Sequence, residues 1–141
     1  NLDTNTKELG VDLGGARFII KKSMTINMDG TAIMQVVATL FIAGCGGYDI
    51  SAFQLLIIMV LALIASMGTP AAPGAGAVIL FTILSGVGFT NESALIAYSL
   101  ILAINRPIEM LVTALNCVGD SVASIAVAKS EGKLDTEIFN D

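Results

Sequence analysis

Two groups of polar side chains stand inside strongly apolar stretches of this chain. The first is Asn27 and Asp29 in "INMDGTA" (26–32), and the second is Glu109, Thr113, Asn116 and Asp120 in "NRPIEMLVTALNCVGD" (105–120). On a helix advancing about 100° per residue, the second group falls within about 60° of arc, a polar stripe on a greasy cylinder. An ionised Asp at bilayer depth costs roughly 2.5–3.5 kcal/mol, so such residues face a protein interior or a site rather than lipid. Carboxylate and carboxamide oxygens are what a hard cation takes as ligands. Gly30 and Asn27 can break a helix and free backbone carbonyls beside Asp29. A stripe packed on a partner helix with its hydrogen bonds satisfied is the plainer alternative.

A third candidate is "SMGTPAAPGAG" (66–76). Its small side chains leave the backbone accessible. The end of the apolar arm before it presents unpaired carbonyls suited to a cation. The start of the arm after it presents unpaired N–H groups suited to an anionic group such as a carboxylate. A plain turn between two spans is the alternative, and no Lys-Ser/Thr follows the glycines as in a phosphate-binding loop.

The elements that would carry these groups are apolar helices. Of 141 residues, 55% are hydrophobic and 13% charged, and neither His nor Trp occurs. Soluble domains carry about a quarter charged residues, so an all-α membrane protein is expected. No charge lies between Asp49 and Glu92. That run holds two arms, each shorter than the roughly 20 apolar residues of a full span, joined by Gly and Pro. A re-entrant helical hairpin over residues 50–90 is preferred to two short spans, because short interrupted segments mark discontinuous transporter helices. A broken transmembrane helix over residues 15–45 and a long polar-striped helix over 92–129 flank it. Residues 1–14 read as a polar lead-in from a longer protein, with no signal peptide, and 131–141 as an acidic tail. Lys7, Arg17, Lys21 and Lys22 lie before or near the start of the first helix, Lys129 and Lys133 at or beyond the end of the last, and of the Lys and Arg only Arg106 lies between. By the positive-inside rule both ends are expected to be cytoplasmic in a multi-pass plasma-membrane (bacterial inner-membrane) protein.

Several classes fall away. Seven Lys and Arg in no stripe, within a net charge of −5, speak against nucleic acid as a partner. Cys45 and Cys117, far apart and without His, make no zinc pattern and are expected to be buried, inert thiols. An intramembrane aspartyl protease could be built from "YD" (48–49) and "CVGD" (117–120), but Cys117 breaks the glycine pattern. A channel-like pore stays open, since polar stripes and re-entrant loops also build pores.

In order, "INMDGTA", "ASMGTPAAPGAGA" (65–77) and "NCVGD…AVAKSEGKL" (116–134) resemble the glutamate transporter family, the dicarboxylate/amino acid:cation symporters. The resemblance covers essentially the whole chain and implies the C-terminal part, residues 15–130, of a transport domain. It also implies an amino-acid substrate, sodium as coupling ion with no other cofactor, and a homotrimer assembled through an upstream scaffold outside this sequence. It implies sodium ligands at Ser23, Thr25, Asn27, Asp29, Ser66, Met67, Thr69, Asn116 and Asp120. The substrate would be lined by Met28, Thr31, Ala71, Gly76, Glu109, Val112, Thr113 and Asn116, with the hairpin tip as an extracellular gate. Four positions depart from the family pattern. Ser23 stands where glycine is usual, Pro70 for a small residue, Glu109 for the aspartate that holds the substrate amino group, and Val112 for an arginine. That arginine clamps a side-chain carboxylate in acidic-amino-acid carriers. Its loss favours a neutral amino acid over an acidic one or a C4-dicarboxylate, with an Arg106–Glu109 ion pair three residues apart as the plain role of Arg106.

Overall fold

A computed structural model describes residues 2–26, 28–70 and 72–140, the side chains of 19, 22–26 and 140 excepted. Helices are the only regular elements among them: α1 (Leu2–Lys7), α2 (Leu13–Ile26), α3 (Asp29–Gly46), α4 (Ala52–Met67), α5 (Ala75–Val87), α6 (Glu92–Ser130) and α7 (Thr136–Asn140). One isolated bridge pairs Val11 with Leu134.

Local chemistry sets most of the boundaries. α3 opens with Asp29 in its first turn, a carboxylate at the positive end of the helix dipole. It closes at Gly47, whose φ of 72° turns the chain so that Gly47 N–H donates to the Gly44 carbonyl and Tyr48 N–H to the Ala43 carbonyl. α4 starts with a reciprocal capping box between Ser51 and Gln54. α6 is capped by Asn91, which accepts from Ala94 N–H, and has Glu92 in its first turn and Lys129 in its last. Pro107 sits inside α6 and removes the N–H that would have bonded the Ala103 carbonyl.

α4 and α5 form a packed hairpin of roughly 24 and 20 Å at 1.5 Å per residue, each short of a hydrocarbon core about 30 Å thick. α3 packs on α4, α5 and α6, and α6 also takes α2 along its second half. One core joins Ala38 and Ile42 of α3, Ile58 of α4, Leu80 and Leu84 of α5, and Ala94 and Ala97 of α6. Around it the loop ends are tied together. The rings of Tyr48 and Phe89 lie 4.5 Å apart, Asn91 N–H donates to the Tyr48 hydroxyl at 3.1 Å, and the Asn91 side-chain amide donates to the Gly46 carbonyl at 2.8 Å. At the opposite end, Val11, Ala16 and Ala128 form a second small core. Asp135 N–H donates to the Gly10 carbonyl there, and the Asn5 amide to Ser121 Oγ at 3.2 Å. The lead-in and the tail are therefore folded against each other and against α6, where the sequence reads only as polar.

Two expectations change. Gly30 does not break the helix; it lies in the first turn of α3, and the interruption falls between Ile26 and Asp29, with Met28 at φ −112°, ψ 61°. The glycine is there for proximity, because a Cβ at position 30 would stand 2.7 Å from the Val112 carbonyl oxygen on α6. Cys45 and Cys117 are both exposed, not buried. In a membrane chain apolar neighbours mark the outer surface as readily as the core, so the greasy context of a thiol does not report its burial.

Candidate functional site

The start of α3, the tip between α4 and α5 and the middle of α6 border an open cavity of about 730 Å³. The fold brings these together through the α3–α6 seam. Asn116 works as a two-sided clamp there: its Oδ1 accepts from Gly30 N–H at 2.9 Å, and its Nδ2 donates to Thr31 Oγ1 at 3.1 Å. A side chain expected to serve a ligand thus also fixes the first turn of α3 on α6.

Of the residues expected to meet substrate, Met28, Thr31, Gly76, Glu109, Val112, Thr113 and Asn116 line the cavity. Ala71 lies outside the described residues. Of the positions expected to hold sodium, Thr69, Asn116 and Asp120 line the same cavity. Asp120 is buried at 4% exposure, and its carbonyl accepts from Ser124 Oγ at 2.8 Å. Ser66 is buried and Met67 exposed. Asp29 is exposed on α3 and is not part of the cavity wall. Asn27 lies outside the described residues, as do the side chains of Ser23 and Thr25.

The hairpin tip differs from its expected form in a physically informative way. The carbonyls at the end of α4 have partners: Leu63 O accepts from Ser66 Oγ at 2.9 Å, Ala65 O from Thr69 Oγ1 at 2.8 Å, and Ser66 O from Thr69 N–H at 3.1 Å. At the start of α5 an anionic group does meet the backbone N–H, and it comes from the chain itself. Glu109 Oε1 accepts from Gly74 N–H at 2.6 Å, where Gly74 caps the helix at φ 85°. Its other oxygen, Oε2, pairs with Arg106 at 3.5 Å. The carboxylate of α6 therefore bolts the hairpin tip while held by a cation from its own helix. The Glu109 side chain is 18% exposed and that of Arg106 71%, so the carboxylate sits inside and the guanidinium at the mouth.

Sequence reasoning missed parts of the wall. Met34, Ala72, Pro73, Met110 and Cys117 also line the cavity. Met34 is three residues from Thr31 and could have been found by helical spacing; the tip residues could not, since their approach to α6 is tertiary. Gln35 was missed too. It is fully buried on α3 and its Nε2 donates to the Gly76 carbonyl at 3.4 Å, a further tie between α3 and the tip. Its Oε1 and the Oδ1 of buried Asn105 have no hydrogen-bond partner among the described residues.

Apolar helices that fold around a polar-striped cavity, with their large side chains turned outward, define an all-α membrane protein. The comparisons with known proteins narrow that class. A model of the sodium:dicarboxylate symporter family matches residues 1–130. The chain is 37% identical to human excitatory amino acid transporter 2 over 131 residues, which is 92% of this chain and 22% of the relative. It is 35% identical to an excitatory amino acid transporter of Caenorhabditis elegans, covering 92% of this chain and 25% of that one. To the proton/glutamate-aspartate symporter of Escherichia coli K12 it is 32% identical, with 89% and 28% covered. The chain belongs to the sodium:dicarboxylate symporter family, a family of transporters and not of enzymes. It spans about a quarter of the length of the relatives it matches.

Proposed function

We propose that this chain is the C-terminal part of the transport domain of a sodium-coupled amino-acid symporter, with a neutral amino acid as the favoured substrate. The observation that carries the reading is the placement of Glu109 on α6, facing the hairpin tip across a cavity whose wall at Val112 is apolar. Glu109 is the acceptor for a substrate ammonium. Bound substrate would replace the present contact of Glu109 with Gly74, so occupancy and the position of the tip are coupled. The tip, residues 66–76, acts as the gate, and α4–α5 as a re-entrant hairpin entered from outside.

Sodium enters as co-substrate. Asp120, buried beside Asn116 on the polar stripe, supplies the carboxylate that offsets its charge, with oxygens of the tip and of the segment between α2 and α3 completing the shell. Asp29 would serve a separate ion. The folded contact between lead-in and tail supports both ends lying on one side, the cytoplasmic one, and assembly as a homotrimer would run through segments upstream of this sequence.

A specific observation favours a second reading, an acidic substrate. Arg106 lines the cavity, and one of the similar proteins is a proton/glutamate-aspartate symporter. Competition for uptake by the full-length protein separates the two. Serine and alanine should outcompete aspartate, and Val112→Arg should move preference toward aspartate by supplying a two-pronged carboxylate partner. Aspartate winning in the native protein, with that preference abolished by Arg106→Ala, would overturn the neutral reading.

A further inference from the structure

A second open cavity, of about 350 Å³, lies where the start of α2 meets the end of α6. Asp12, Gly14 and Phe18 line one side of it, and Val127, Glu131 and Lys133 the other. Backbone contacts between the two ends of the sequence build it. Val11 pairs with Leu134, and Asp135 N–H donates to the Gly10 carbonyl at 2.8 Å. Gly10 takes φ 65°, and a Cβ there would collide with the Asp135 carbonyl. Gly132, also at φ 65°, turns the chain so that Lys133 N–H donates to the Ala128 carbonyl at 2.8 Å.

The wall is apolar and its surroundings are basic. At about 100° per residue, Gly14, Arg17, Phe18 and Lys21 fall within about 100° of arc on α2. Phe18 and Val127 are exposed, as are Arg17, Lys21 and Lys133, and none of these three cations is in an ion pair among the described residues. The carboxylates nearby are partly engaged by backbone. Asp12 Oδ2 accepts from Gly15 N–H at 3.0 Å, and Asp135 Oδ1 accepts from Glu137 and Ile138 N–H at the start of α7. Glu131 is the other carboxylate on the wall. Three cations against Asp12 and Glu131 leave an excess of one positive charge beside an apolar surface, at the end of two helices of a membrane protein.

We propose that this cavity binds the head of an anionic phospholipid such as phosphatidylglycerol. Its phosphate lies among Lys21, Lys133 and Arg17, whose long stems bring their charges to the headgroup level. Its acyl chains follow Phe18 and Val127 into the bilayer. One net negative charge matches the excess on the protein, whereas the ammonium of a zwitterionic lipid would meet it unfavourably. A basic pocket between helices fits the cytoplasmic leaflet, where anionic lipid gathers. The site depends on the membrane setting and not on which substrate is carried, and a lipid held there bridges α2 and the tail.

The test titrates the purified full-length protein, in phosphatidylcholine nanodiscs, with phosphatidylglycerol carrying a fluorescent acyl chain. This probe should bind at least about tenfold more tightly than the same probe with a phosphatidylethanolamine head. Lys21→Gln and Lys133→Gln should each weaken it about fivefold. These side chains are exposed, so both variants should melt as the native protein does. Lys129→Gln, about 160° around α6 from both Val127 and Glu131, should change binding less than about twofold. Equal weakening by Lys129→Gln would reduce the effect to diffuse attraction by the leaflet and overturn the proposal. Equal binding of the two headgroups would overturn it too. Displacement of the probe by soluble glycerol 3-phosphate at equal concentration would assign the site to a free phosphate compound instead of a lipid.

Discussion

The seam between α3 and α6 can be challenged with one methyl group. An ideal Cβ on Gly30 would lie 2.7 Å from the Val112 carbonyl oxygen, 3.0 Å from Leu115 Cβ and 3.2 Å from Asn116 Oδ1. The first is backbone and the second the root of a side chain, so neither can swing away and α3 must back off from α6. Overpacking of this kind costs about 1–3 kcal/mol. Pulling Gly30 N–H off Asn116 adds about 0.5–1.5 kcal/mol, whereas alanine's better helix preference returns only about 0.5–1 kcal/mol. The balance is a loss of roughly 0.5–4 kcal/mol for Gly30→Ala. Gly44, in the same helix, has nothing within 4 Å of its would-be Cβ. Gly44→Ala should therefore be neutral or slightly stabilising. Both variants of the full-length protein are to be unfolded thermally in detergent, with alanine binding measured alongside. Gly30→Ala should melt lower and bind about tenfold more weakly, because Thr31 and Asn116 border the cavity and shift with the seam. A Gly30→Ala protein as stable and as tight-binding as Gly44→Ala would show that α3 does not approach α6 as described.

Asp120→Asn keeps the shape of a buried side chain and removes its charge, so half-saturating sodium should rise at least about tenfold with little change in melting; unchanged sodium dependence would clear Asp120 of ion binding. Glu109→Gln retains an oxygen for Gly74 N–H but loses the ammonium partner, and alanine affinity measured by equilibrium binding should fall about 10- to 100-fold. A cysteine at Ala72, exposed at the hairpin tip, should react with a thiol reagent faster without substrate than with it, since a segment that buries little area opens at low cost. Equal labelling rates would argue against a gate there.

What could be read in advance was local. Ser51 with Gln54, Gly47, Gly88 and Asn91 punctuate the helices by short-range chemistry, and the apolar stretches on either side of the Gly/Pro-rich join are helical, as α4 and α5. The Arg106–Glu109 pair was likewise readable, being three residues apart on one helix. The second partner of Glu109 was not, because Gly74 is 35 residues away and meets it only once the hairpin packs on α6. Gly30 was misread for the same reason: a glycine that permits close approach and one that breaks a helix look identical until the neighbouring backbone is in place. Burial of Cys45 and Cys117 failed on a different ground, the inversion of outside and core in a membrane chain. Asn5, in a stretch read as a polar lead-in, is fully buried against α6 by contacts that span most of the sequence.

Uptake of labelled alanine by the full-length protein in proteoliposomes, under an inward sodium gradient and with choline in its place, bears on all of this at once. Concentrative uptake with sodium that vanishes in choline is the expected result. Uptake that is unchanged in choline, or sodium flux that proceeds without substrate at pore-like rates, would contradict a sodium-coupled carrier built around Glu109 and Asp120.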